Sequence, residues 1–193
     1  MTITKIVAKS KYYELVLENN EKLILPEDII VFHRLIKGKT LTTNEIENLR
    51  LEAENYRFYE MALRYVNYPK TTDQVKKYLY GKNASREVIT AIINKLKTLK
   101  LIDDTLYAKQ LITKQASMKQ LRFELKQKGL DEALIEQILM DYDEQASLQK
   151  IIDANVKRYV NKPDGKVKMY RYLVAKGFEY QMVDKILSNY FKS

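Results

Sequence analysis

Two adjacent carboxylates, Asp103-Asp104, and a second acidic group, Asp141, Asp143 and Glu144, are the side chains whose types first suggest chemistry. A carboxylate pair does acid–base work when both groups face one substrate, and consecutive residues of a helix do not. Standing just ahead of Leu106 and Ala108, Asp103 and Asp104 suit the N-cap and first turn of a helix, where the macrodipole favours negative charge. The second group lacks the Gly-bearing loop that wraps a calcium ion, so a solvated helix junction is expected there. The chain has one histidine, His33, and no cysteine. Thiolate zinc sites, iron–sulfur clusters and disulfides are thereby excluded, and neither a His-rich metal site nor a serine triad is expected. No GxxxxGK[ST], GxGxxG or GxSxG motif occurs. No catalytic set, metal or cofactor emerges, and His33 is expected on a helix surface. The chain reads as a non-enzyme.

Charge is the next signal. Lys and Arg number 34 against 25 Asp and Glu, a net of +9. Residues 1–55 carry a net of −1, 56–102 a net of +7, 103–145 a net of −3 and 146–193 a net of +6. Two positive blocks separated by an acidic one suit an anionic polymer or an acidic protein surface, and a lysine-rich solvated exterior explains them equally well. Tyr56, Tyr59, Tyr65, Tyr68, Tyr78 and Tyr80 lie in the +7 block. Interleaved with cations they could stack the bases of a single strand; as seams between helices they would bury their rings and wet their hydroxyls. The seam is the favoured reading.

The elements that must carry these residues change character along the chain. Tyr13, Leu15 and Leu17 alternate with polar or smaller neighbours, and Glu18-Asn19-Asn20-Glu21 marks a turn before Leu23-Ile24-Leu25. With Ile3–Ala8 this predicts a three-stranded antiparallel meander ending near Pro26, followed by a helix over 28–36 closed by Gly38. From Thr43 onward the pattern is helical: 44–67, then about 72–81, 86–99, 104–115, 118–128, 132–142, 144–160, 166–176 and 180–191. Only 5 Gly and 3 Pro leave little room for a β-sandwich. No apolar run is long enough to span a membrane, and no signal peptide is recognised, so a cytoplasmic protein without membrane contact is expected.

An internal repeat orders the helices. Leu79, Leu125 and Leu173 align at spacings of 46 and 48 residues. Four residues before them stand Val75, Leu121 and Met169; four after stand Asn83, Gly129 and Gly177, types that end helices in the left-handed conformation. An apolar stripe follows in each copy, from Val88, Leu134 and Met182 to Leu96, Tyr142 and Tyr190. Thr71, Ser117 and Gly165 stand as N-caps, the first two opening capping boxes with Gln74 and Gln120. Such units share a core only by stacking. The fold class is therefore mainly α: a tandem array of three three-helix repeats, elongated and curved, with a small β-containing N-terminal module. The boundaries fall at 1–55, 56–102, 103–143 and 144–193.

Candidate partner contacts follow from the repeat. Lys82, Lys128 and Lys176 recur in register, but each ends a helix, where the dipole alone favours a cation. Lys76, Lys77, Arg122, Lys126, Lys168 and Arg171 have no such local reason, lie on or beside the exposed side of each middle helix, and are the expected contact residues.

The sequence resembles the RecX family of regulatory proteins. The likeness rests on the threefold unit, on Leu101-Ile102-Asp103-Asp104 with Leu106-Tyr107-Ala108, and on the run Leu121-Arg122-Phe123-Glu124-Leu125 through Gly129-Leu130. It extends to Tyr170-Arg171-Tyr172-Leu173 with Lys176-Gly177-Phe178, and the strand-rich start with Lys37-Gly38-Lys39 is similar to that of Gram-positive members. Lys100 and Asn83 stand where the family usually has Gly. The resemblance implies a non-enzymatic modulator of the recombinase RecA that binds the RecA filament on single-stranded DNA and suppresses its ATP hydrolysis and strand exchange; a monomer is expected. Direct contact with single-stranded DNA, as a general nucleic-acid-binding array, is the alternative.

Overall fold

The computed structural model describes residues 1–191. It forms two compact units, one comprising 1–67 and 79–94, the other 68–78 and everything from Lys95 onward.

The first unit opens with β1 (Ile3–Lys9), β2 (Tyr12–Leu17) and β3 (Lys22–Pro26), an antiparallel sheet in the order β1-β2-β3. Alternation places Leu15 and Leu17 in the core from β2, with Leu23 and Leu25 beside them from β3. Asn20 sits at φ 63° in the β2–β3 turn, a conformation that asparagine tolerates better than most residues. Helix α1 (Glu27–Phe32) starts directly after Pro26, and α2 (Thr43–Tyr65) adds Ile46 and Leu49 to the same core. Thr42 and Glu45 close a reciprocal capping box at the start of α2.

Helix α1 is shorter than the pattern over 28–36 predicts, and Gly38 does not close it. The amide of Leu35 donates to Ile30 and that of Arg34 to Val31, with Arg34 at φ 47°. This is a Schellman ending, formed because it turns Leu35 into the core. His33 is the C-cap rather than a helix-surface residue, and its Nε2 lies 2.7 Å from Glu52 Oε2. On α2 the buried face runs through Phe58 and Ala62, and Tyr56 and Tyr59 are only half-buried.

The remaining helices are α3 (Thr72–Tyr80), α4 (Arg86–Thr98), α5 (Asp104–Leu111), α6 (Met118–Gln127), α7 (Glu132–Met140), α8 (Glu144–Asn155), α9 (Gly165–Ala175) and α10 (Tyr180–Leu187). Helices α3, α6 and α9 are the middle helices of the three repeats. Leu79, Leu125 and Leu173 are fully buried, as are Val75, Leu121 and Met169. Asn83, Gly129 and Gly177 have φ of 65°, 74° and 92°. In each copy the residue after them, Ala84, Leu130 or Phe178, donates its amide to the carbonyl of the anchor leucine and buries its side chain. All three middle helices thus end in one Schellman motif with its apolar contact.

In the second unit, α5, α6 and α7 enclose Ala108, Leu121, Leu125, Ile135 and Leu139, while α8, α9 and α10 enclose Leu148, Ile152, Met169, Leu173, Val183 and Leu187. Several ends fall short of expectation. After α8 the chain tightens into a 3-10 turn, Val156–Arg158, where Asn155 turns its side-chain amide onto the Ile151 carbonyl. Ser188 does the same to Asp184, and α10 stops at Leu187. Ser117 caps α6, but Gln120 reaches Glu124 instead of returning to the cap, so the second capping box is only half formed. Gly165 is not a cap. It is the first residue of α9, buried against the Tyr159 carbonyl where a Cβ has no room, and Asp164 at φ 56° precedes it.

Candidate partner-binding surface

All six expected contact residues belong to the second unit, and ion pairs divide them. Lys77 pairs with Asp73 one turn away at 2.7 Å, Arg122 forks onto Glu136 at 2.8 and 3.0 Å, and Lys126 meets Glu132 at 2.8 Å. Lys168 donates to the Pro163 carbonyl at 3.0 Å. Lys76 and Arg171 are exposed and have no polar partner among the described residues. The Glu136 carboxyl is held below its ordinary range by the Arg122 hydrogen bonds, and Arg122 is raised in turn. Both groups are open to water, so this pair fixes geometry more than it stabilises. Nor do the six fall at one register. Lys76 and Arg122 are equivalent, as are Lys77 and Arg171, whereas Lys126 and Lys168 have no basic counterpart in the other copies.

The repeats of the second unit are joined by a hydrogen-bonded device used twice. The Thr71 hydroxyl, fully buried, donates to the Lys128 carbonyl at 2.6 Å while accepting the Gln74 amide. One repeat on, the Ser117 hydroxyl donates to the Lys176 carbonyl at 2.7 Å while accepting the Gln120 amide. Asp103 and Asp143 cap their own helices. The following acids, Asp104 and Glu144, accept the first amides of α3 and α6, Thr72 and Met118, each at 2.7 Å. The N-terminus of one middle helix is thus seated on the C-terminus of the next, with two of its open amides and one facing carbonyl satisfied at each junction. Gly177 permits this approach: at φ 92°, a Cβ there would stand 2.7 Å from Ser117 Oγ.

The α6–α9 junction borders an open groove of about 500 Å³, lined by Lys119, Val174, Gly177, Phe178 and Tyr180. A neighbouring hollow of about 450 Å³ shares Lys119, Val174 and Gly177 and reaches Phe123 and Lys176. Phe123 and Tyr180 are 61% and 65% exposed, an unusual presentation of two rings on one surface. Tyr180 lies 6.3 Å from the Tyr170 ring, and Lys176 sits 5.3 Å above the Tyr172 ring. The arrangement offers apolar rings and cations to a partner and assembles no reacting groups. Among the described residues no cluster of three His, Cys, Asp or Glu is placed to hold a metal ion, and no helix is long and apolar enough to cross a membrane.

The tyrosines of the +7 block split between both readings. Tyr56, Tyr59, Tyr65 and Tyr78 are half-buried, and burial raises the Tyr56 hydroxyl above its ordinary range. Tyr68 and Tyr80 are exposed. Two things were invisible in the pattern. The recurring lysines matter through their backbone: the carbonyls of Lys128 and Lys176 take the junction hydroxyls. The second acid of each acidic pair serves a different helix from the first. The coincidence of Asp103-Asp104 with Asp143-Glu144 at successive repeat starts is the signal that could have shown it.

Comparison with known proteins places this architecture. No protein-family model matches the chain. A "Regulatory protein RecX" of Streptococcus agalactiae is 31% identical over 198 aligned positions, covering 98% of this chain and 77% of the relative. Another of Enterococcus faecalis is 31% identical, covering 97% and 75%. A crystal structure of a regulatory protein RecX superposes with a TM-score of 0.71 at 24% identity, over 95% of this chain and 97% of that one. The RecX structure from Lactobacillus salivarius gives 0.61 at 26% identity, over 70% and 95%.

Proposed function

Because the chain belongs to the RecX family of regulatory proteins, we propose that it binds the filament of the recombinase RecA on single-stranded DNA and restrains its ATP hydrolysis and strand exchange. The carrying observation is the family likeness across nearly the whole chain. The chain acts without catalysis of its own, as a monomer, in the cytoplasm where recombination and repair of DNA take place. Its contacts include Lys76, Lys77, Arg122, Lys126, Lys168 and Arg171, with Lys76 and Arg171 the foremost because neither has a polar partner among the described residues. The repeats divide at 56, 103 and 144, after the module of residues 1–55.

The alternative is a general single-stranded nucleic-acid binder, favoured by the exposed Tyr68 and Tyr80 in the +7 block. Fluorescence anisotropy of the labelled chain separates the two. The RecA reading expects binding to RecA filaments at concentrations that leave bare single-stranded DNA unbound. Equal affinity for bare DNA, with a steep salt slope, supports the alternative and overturns the RecA reading.

A further inference from the structure

The first unit carries an apolar knuckle that its own core does not use. Within six consecutive positions at the end of α1, Val31, Phe32 and Ile36 are 68%, 80% and 66% exposed. The flanking apolar residues Ile29 and Leu35 are buried, so the exposed set is a separate face of the segment and not a frayed end. Nor does the Phe32 ring hang free. It meets the His33 ring edge-on at 5.0 Å, and His33 is tied to Glu52 at 2.7 Å. The Lys39 ammonium braces the same turn by donating to the His33 carbonyl at 2.7 Å. The knuckle is held in place.

Charge and backbone point the same way. Of the four basic side chains of this turn, His33 and Lys39 are bonded inward, whereas Arg34 and Lys37 are exposed with no polar partner among the described residues. Arg34 also occupies φ 47°, the position of a Schellman ending that glycine fills without strain. A long cation therefore stands two residues after the exposed Phe32, at a position where the fold alone would favour glycine.

We propose that this knuckle is a protein-docking element: Val31, Phe32 and Ile36 enter an apolar hollow of a partner protein, and Arg34 and Lys37 meet carboxylates on its rim. A lone aromatic ring offers no ladder for stacking bases. Helix α1, on whose end the knuckle sits, has six residues and is a poor membrane anchor. The inference rests on the reading that the chain binds a recombinase filament, which is the probe for its test.

The experiment measures filament binding by anisotropy for the full chain, Phe32→Ser and Arg34→Gly, with thermal unfolding alongside. Phe32→Ser should weaken binding on the order of tenfold or more, the size of an anchor residue's loss, without lowering the melting temperature. Arg34→Gly is the sharper probe, because the two readouts should move apart. Relief of the left-handed arginine should leave the chain as stable or more stable, while binding falls about threefold to tenfold, more at low salt than at high salt. Unchanged binding by both variants, with the parent chain bound, overturns the knuckle and leaves the recombinase reading intact. Absence of binding by the parent chain overturns both. The inference also fails if Phe32→Ser abolishes sedimentation with phosphatidylglycerol vesicles, or dissolves a dimer of this chain, while filament binding stays whole.

Discussion

The Ser117–Lys176 contact makes a prediction in which two substitutions should fail to add. Ser117 Oγ is wholly buried, accepts the Gln120 amide at 3.1 Å and donates to the Lys176 carbonyl at 2.7 Å. Ser117→Ala removes an N-cap, at about 1 kcal/mol, and strips a partner from a junction carbonyl, at about 1–3 kcal/mol, so about 2–4 kcal/mol is expected in all. Gly177→Ala imposes an L side chain at φ 92° and sets a Cβ 2.7 Å from the same oxygen. The left-handed backbone alone costs about 1–2 kcal/mol, and displacing the hydroxyl breaks the bond that Ser117→Ala also removes. In the double variant the oxygen is gone and the bond is lost only once. The double variant should therefore be less destabilised than the sum of the singles by about 1 kcal/mol or more. Urea unfolding followed by far-ultraviolet circular dichroism reads all three changes. Additivity to within about 0.5 kcal/mol would refute the reasoning, because residues that share no contact behave that way.

Thr71→Ala, at the preceding junction, should cost about as much as Ser117→Ala in the same urea assay, since its hydroxyl makes the equivalent pair of bonds. Asn83, at φ 65°, should accept Gly with no loss or a slight gain, while Asn83→Val should cost about 1–2 kcal/mol; equal melting temperatures for the two variants would show that α3 does not end there. Lys114 holds the Glu124 carboxyl below its ordinary value, and the Thr42 backbone amide does the same for Glu45. A carboxyl depressed in the folded state contributes stability that is complete above its unfolded value of about 4.3 and is lost as pH falls through its folded value. The urea midpoint should therefore drop below about pH 4.3, and Glu124→Gln should make that drop shallower. Reversing Lys76 and Lys77, or Lys168 and Arg171, should weaken filament binding most at low salt while stability moves within about 0.5 kcal/mol; Lys150→Glu is the control that should bind nearly as the parent does.

The repeat was legible because it is written in residue types that only one local geometry accommodates. Asn and Gly at the helix ends, a buried leucine one turn earlier and an apolar residue just after the stop are each local demands, and the fold meets them in all three copies. The meander was legible for a similar reason, through alternation and an asparagine turn. Where expectation failed, a contact distant in sequence or a competing side chain decided. Arg34 takes a left-handed turn that composition would give to Gly38, because Leu35 has a core to enter. Gly165 looks like a cap from its place in the repeat, yet it is a point of close packing against Tyr159. The candidate surface was less legible. Cations can be counted from sequence, but Glu132 and Glu136 neutralise Lys126 and Arg122 from a different helix, which no spacing within α6 reveals.

ATP hydrolysis by preformed RecA filaments on single-stranded DNA, titrated with this chain, tests the central proposal most directly. The rate is expected to fall at ratios well below one chain per recombinase subunit, at protein concentrations too low to bind the DNA alone. A rate that stays constant up to equimolar protein would contradict it.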